Sequence, residues 1–344
     1  MDSLSQIALG AAVSVAVMGR RTAVWKAALW GAVAGTLPDL DVLIDQGDAV
    51  RNMVLHRAET HSLFWLTLFS LPFSALVARL NGQWLLWRRW WLALWLALVT
   101  HPMLDAMTVY GTQLGLPFTN YPYGVGSVFI IDPLYTLPLL IGVGWALAGG
   151  QHALRANAIG LAVSCIYLAW SAAAQQQVNR VAGASLAAQG LSAERVLVTP
   201  TAFNTLLWRV VAVSGDSYYE GFYSLLDSGE AGRPLAFDRY ARGNALADEL
   251  QANASVQRIR AFSKGFFALR EEAGRMLISD LRMGQEPDYT FAFAVAEKRS
   301  ELTPLAAPEL VRSRGDVRCL LSWLVPRMAG RALPPPAQAC AKSP

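Results

Sequence analysis

The sequence predicts a mostly α-helical membrane bundle of about six helices, followed by a small extracytoplasmic α+β domain with an antiparallel sheet. Three observations predict it. Of 344 residues, 54% are hydrophobic and only 16% are charged, against about 25% charged in soluble domains. The deficit is uneven: residues 3–19, 62–78, 90–104, 106–131, 133–151 and 156–179 hold no Asp, Glu, Lys or Arg. Beyond Arg180 charges return at ordinary density and short segments alternate apolar with polar. This divides the chain into a membrane domain (1–178), an α+β domain (179–332) and a Pro/Ala-rich disordered tail (333–344).

A hydrocarbon core about 30 Å thick requires roughly 20 apolar residues per helix. Segments 62–79, 89–106, 128–148 and 156–174 satisfy this, while 4–19 and 24–37 are short and are expected to tilt, re-enter or pack inside the bundle. The first segment follows Asp2 and precedes Arg20 and Arg21, the reverse of a cleavable signal's charge order, so it is expected to remain as a helix. The net charge of +4 resolves by position. Arg20, Arg21 and Lys26, then Arg79, Arg88 and Arg89, then Arg155 occupy alternate turns, and the intervening connections are acidic or neutral. Basic short loops lie on the cytoplasmic side, so the N-terminus and everything after residue 180 are expected outside a bacterial plasma membrane. The same distribution argues against a nucleic-acid partner. Tryptophans 84, 87, 90 and 91 read as an interfacial belt.

In the second half, 195–199, 206–214 and 218–226 read as strands, with a hairpin at Ser214-Gly215-Asp216. Segments 238–252 and 255–262 read as helices, and 274–282 and 289–296 as further strands. This half holds no histidine, no GxSxG and no phosphate loop, so it is expected to cap, gate or bind. Cys319 and Cys340 can pair if they face an oxidising compartment, whereas Cys165 falls in an apolar segment.

The chemistry concentrates in the first half, which holds all four histidines. Asp39 and Asp41 lie in LPDLD, His56 and His61 in HRAETHS, and His101 and Asp105 in THPMLD. By the charge pattern all three groups reach the same membrane face. His101 and Asp105, four apart on a helix, share a side; Asp39 and Asp41 can converge if the chain runs extended after Pro38. Imidazole with carboxylate suits zinc, and also manganese or iron. Ionisable groups at membrane depth point to function by default. Asp132 followed by Pro133 reads as a helix N-cap, and His152 as a solvated loop residue. Arg57 is the base nearest the cluster and can meet an anionic substrate.

The runs LPDLD, HRAETHS and THPMLD, followed by YGTQLGLPF, resemble the YdjM/YbcI-like inner-membrane family, grouped as membrane-bound metal-dependent hydrolases. The resemblance covers about residues 1–145. It implies that Asp39, Asp41, His56, His61, His101 and Asp105 are ligands or catalytic groups. The family is distantly similar to zinc-dependent phospholipases C, which implies phosphoester chemistry. Many members carry a histidine in the first helix where this chain has Gln6.

The expected activity is therefore hydrolysis of a lipid or lipid-linked phosphoester at the outer membrane face by one or two divalent metals. Asp39 or Glu59 would serve as base and Arg57 as the phosphate contact. The rival expectations are a transporter or metal-handling protein using the same cluster, and an envelope scaffold with a structural metal.

Overall fold

The computed structural model describes residues 1–227, 235–298, 302–312 and 315–340. Seven helices precede the first strand: α1 (Ser3–Met18), α2 (Val24–Thr36), α3 (Ala49–Leu55), α4 (Leu63–Leu80), α5 (Trp87–Ala106), α6 (Pro133–Ala148) and α7 (Ala153–Ala188). The chain forms two compact units. One comprises Met1–Ile44, His56–Ala172 and Ala202–Asn204; the other comprises Asp45–Leu55, Ala173–Thr201 and Thr205–Pro344. The division thus falls inside α7, and α3 counts with the second unit.

The first unit is organised around α1, which packs against α2, α5 and α6. The α1–α2 approach is set by glycine. A Cβ on Gly31 would stand 2.2 Å from the Gly10 carbonyl oxygen, one on Gly10 2.2 Å from the Gly31 oxygen, and one on Gly35 2.5 Å from the Gln6 oxygen. Small residues of this kind let two backbones touch where lipid supplies no hydrophobic drive. Ala27 and Ala34 of α2 are fully buried. The helices α4 and α5 are tied by indole donors, Trp91 Nε1 to Ser70 Oγ at 2.9 Å and Trp95 Nε1 to Thr67 Oγ1 at 3.0 Å.

All six apolar segments are helical, but only α4 and α7 are long and apolar enough to cross a membrane among the described residues. The helices α1 and α6 have 16 residues each, and α2 has 13, roughly 20 Å at 1.5 Å per residue. The expected start of α6 at residue 128 moves to Pro133, because Asp132 caps the helix by accepting from the Leu134 amide and Pro133 occupies its first position. Trp90, read as part of an interfacial belt, is instead fully buried and donates to Gln83 Oε1 at 3.0 Å.

In the second unit, β1 (Arg195–Pro200), β2 (Leu207–Ser214), β3 (Ser217–Ser224) and β4 (Asp238–Ala241) form an antiparallel sheet in that order. The β2–β3 hairpin closes with Ser214 opposite Ser217 and Gly215 at φ +54. After α8 (Asn244–Glu249) and α9 (Ala254–Phe262) come β5 (Phe267–Glu272), β6 (Arg275–Asp280), the short pair β7 (Gly284–Gln285) and β8 (Asp288–Tyr289), β9 (Ala292–Lys298) and β10 (Leu302–Leu310). The second sheet runs β10-β9-β6-β5, all antiparallel. Residues 238–252, read as one helix, are a strand and then a helix. Asp238–Ala241 pairs with β3 and Tyr240 stacks on Tyr218 at 5.4 Å, and Gly243 at φ +75 breaks the run before α8. Strand β10 escaped the sequence reading because it holds Pro304 and Pro308. It is an edge strand with a register shift between Pro304 and Glu309, where proline is tolerated.

Within this unit Arg209 is a buried strut, donating to Glu220 Oε2 at 2.7 Å and to the Leu281 carbonyl at 2.8 Å. The expected disordered tail is structured as far as Cys340: α10 (Val317–Met328) and α11 (Pro336–Ala339) are joined by a Cys319–Cys340 disulfide. Residues 341–344 lie outside the described ones.

The glycine seam makes a specific prediction. Gly31→Ala should cost about 1–3 kcal/mol through overpacking against backbone, read as a lower melting temperature in detergent. Gly144→Ala, where a Cβ meets nothing within 4 Å, should melt at or above wild type.

Candidate metal centre

The site is assembled at helix ends. Proline has no amide hydrogen, so Pro38 ends α2 and leaves its last carbonyls without intrahelical partners. One of them, Gly35 O, accepts from His101 Nδ1 on α5 at 2.7 Å. That bond fixes the His101 tautomer with Nδ1 protonated and turns its Nε2 into the bundle. His61 ends the 3₁₀ turn Glu59–His61. Its Nδ1 lies 2.9 Å from Thr60 Oγ1, and Thr60 gives its own hydrogen to Asp41 Oδ2 at 2.9 Å. A hydroxyl has one proton to donate, so His61 Nδ1 must be the donor and its Nε2 also faces inward.

The two Nε2 atoms stand 3.2 Å apart, and both rings are fully buried. Two bare lone pairs at that separation repel, so a positive centre, either a proton or a metal ion, has to lie between them. Asp39 Oδ1 is 3.4 Å from each Nε2, and Asp105 Oδ2 is 3.3 Å from each. One donor atom from each of Asp39, His61, His101 and Asp105 lies within 4.8 Å of all the others. Four ligands at 2.0–2.1 Å around a tetrahedral ion are about 3.3–3.4 Å apart; the five pairs that include an imidazole nitrogen stand at 3.2–3.4 Å, and the two carboxylate oxygens lie within 4.8 Å of each other. Asp105 Oδ2 is buried and makes no hydrogen bond. The donor set can hold one metal ion. With protons in place of a metal, burial opposes the Asp39 charge, but hydrogen bonds from His101 and His61 outweigh it and hold the carboxyl below the usual range.

Of the six residues expected as ligands, Asp41 and His56 stand beside this cluster, outside it. The reason is backbone. Residues Pro38–Leu43 form a 3₁₀ helix instead of an extended strand, and at three residues per turn positions two apart diverge by about 120°. Asp39 therefore faces the cluster and Asp41 faces the next loop. There Asp41 accepts from His56 Nδ1 and from the Arg57 amide, each at 2.9 Å. Burial opposes its charge, yet these bonds hold its carboxyl below the usual range. Asp41 thus orients His61 through Thr60 without facing the metal position.

Arg57 is 3% exposed and sits at φ +67, with Nε 3.4 Å from Asp105 Oδ2 and its guanidinium over the Tyr110 ring at 5.0 Å. Its carbonyl accepts from the Gln113 amide at 3.0 Å, which ties the HRAETHS loop to the segment after α5. Glu59 is exposed and lies outside the four-residue cluster. His152 is an exposed turn residue. Gln6 donates to Asp105 Oδ1 at 3.1 Å and to the His101 carbonyl at 3.2 Å, and the Met1 amino group also meets Asp105 Oδ1. Gln6 therefore clamps one of the four residues that could hold a metal. Thr60 and Gly35 were not singled out from the sequence. A hydroxyl beside a candidate histidine, and a proline two residues after a small-residue helix end, were the available signals.

A family model described as "YdjM inner membrane protein" matches residues 1–178. The uncharacterized protein YfhP of Bacillus subtilis (strain 168) is 24% identical over 217 residues, 62% of this chain and 64% of that protein. The chain thus covers slightly less than two thirds of that relative's length. No solved structure matches.

The second layer can be tested without an activity assay. If the cluster holds a divalent ion, Thr60→Val should weaken its binding about 10–100-fold, measured with zinc as the probe by competition with a chromophoric chelator, while Thr60→Ser should restore it. A Val variant that binds as wild type would remove the Thr60 relay from the account.

Proposed function

The chain belongs to the YdjM inner membrane protein family, and we propose that it is a metal-dependent hydrolase cleaving a phosphoester at the outer face of the membrane. The carrying observation is a pair of buried imidazole nitrogens 3.2 Å apart, each 3.3–3.4 Å from one oxygen of Asp39 and one oxygen of Asp105. Mixed nitrogen and oxygen donors at this spacing favour zinc, with manganese or iron as substitutes. A divalent ion held there supplies a bound water of lowered pKa and polarises a phosphoryl oxygen.

The chain's own groups divide the remaining work. His61 and His101 are locked by Thr60 and Gly35 to present Nε2 and never Nδ1. Asp105 is fully buried and clamped by Gln6, so it serves as a fixed ligand. Asp39 is the exception, with a side chain 22% exposed. With Oδ1 turned to the imidazoles, its Oδ2 is left to take a proton from attacking water. Two carboxylates, a divalent ion and the Arg57 guanidinium leave a net positive charge in a buried place, which an anionic ligand neutralises. Arg57 beside Asp105 is the group to hold that anion, as guanidinium suits phosphate oxygens.

The multi-pass reading counts α1, α2, α5 and α6 as bundle helices around the spanning α4 and α7. The Cys319–Cys340 disulfide supports an oxidising compartment for the second unit, in line with the positive-inside reading of the turns.

The deciding experiment is metal analysis with a phosphoesterase assay on protein in lipid nanodiscs, using bis(p-nitrophenyl) phosphate and a long-chain phosphatidic acid. Wild type should carry about one zinc per chain and lose turnover on chelation. His61→Ala should remain folded without metal or activity. Arg57→Lys should keep the metal and lose about 10²-fold in kcat/KM, as for removal of a charge-stabilising donor. Metal-loaded wild type that turns over neither substrate would overturn the hydrolase reading.

A further inference from the structure

The 3₁₀ helix Pro38–Leu43 buries Pro38, turns Asp39 and Asp41 inward, and turns Leu40, Val42 and Leu43 out. Leu40 is 52% exposed, Val42 72% and Leu43 80%, and Ile44 follows at 55%. Contiguous exposed aliphatics, unlike scattered ones, mark a surface that something covers. The same rim continues to α4. The turn Glu59–His61 packs against this 3₁₀ helix and leads directly into α4. At the start of α4, Phe64 meets Phe118 edge-on at 5.4 Å, and Phe118 is 80% exposed. This is the end of a helix long and apolar enough to span a membrane. The covering material is therefore the one that surrounds the rest of α4, the lipid acyl region, and the next charges in sequence, Asp45 and Asp48, mark the return to water.

We propose that Leu40, Val42, Leu43 and Ile44 form a lip seated at the boundary between headgroups and acyl chains. The centre beside it takes its substrate sideways from the bilayer: an anionic phosphate ester carrying long acyl or alkyl chains, in preference to a water-soluble ester. The substrate half rests on the phosphoester reading above; the seating of the lip does not. The arrangement places the phosphate near Arg57 and the cluster, while the chains run along the aliphatic side chains and never leave apolar surroundings. Asp39, which lies on the same 3₁₀ helix and is the cluster member with exposure, is then the residue the arriving headgroup meets first.

The seating is read by spin-label depth in nanodiscs. Leu43→Cys in a Cys165→Ser background carries one nitroxide, since Cys319 and Cys340 are paired. Its collisions with oxygen should exceed those with a water-soluble nickel chelate, whereas a label at Asp45→Cys should show the reverse. Equal access of the nickel reagent to both positions would sink the lip. The substrate half is read by binding to the zinc-loaded protein. Leu43→Ser should weaken dihexadecyl phosphate about tenfold, the worth of one buried aliphatic side chain, and leave dimethyl phosphate unchanged. Equal weakening of both probes, or of neither, overturns the chain preference. Failure of wild type to bind either phosphate would overturn the phosphoester reading beneath it, with the depth measurement still deciding the lip.

Discussion

Two imidazole nitrogens held 3.2 Å apart in a fully buried place are the constraint around which the first unit is arranged. Left alone they repel. Each is kept there by a bond on its far side, from His101 to a helix-end carbonyl and from His61 to a hydroxyl. The energy of those two bonds, together with the carboxylates facing the gap, converts a repulsion into a socket for positive charge. A buried site of this kind is expensive to build, and a protein gains from it only where the charge is filled by something useful.

The parts of the fold that look unrelated to chemistry serve the socket. The glycine seam between α1 and α2 brings Gln6 and Gly35 within reach of α5, so the first helix clamps Asp105 while the second restrains His101. Bulk at Gly10 or Gly31 would act on the cluster through helix separation. The short 3₁₀ helix after Pro38 then divides two aspartates between two tasks.

Much of this was legible from sequence because it follows from local rules. Proline and charge positions mark the helix ends, and the spacing of His101 and Asp105 places them on one face. The division of Asp39 from Asp41 was not legible, since extended and 3₁₀ backbones both satisfy the composition of LPDLD and differ only in where the second carboxylate points. Gln6 and Thr60 are ordinary residues whose roles arise from partners 99 and 19 positions away. In the second unit, Asp238–Ala241 has a helix-compatible composition and becomes a strand because β3 offers it an edge. Tertiary pairing overrides propensity in such short segments.

Arg57 adopts a left-handed backbone that residues other than glycine, asparagine and aspartate rarely visit, at a cost of about 1–2 kcal/mol. Glycine at this position would relieve that strain and discard the guanidinium. A laboratory selection for heat resistance alone would therefore drift toward a sturdier chain that has lost the buried cation beside Asp105. Arginine here marks a point where the backbone bears strain to keep a buried charge in place.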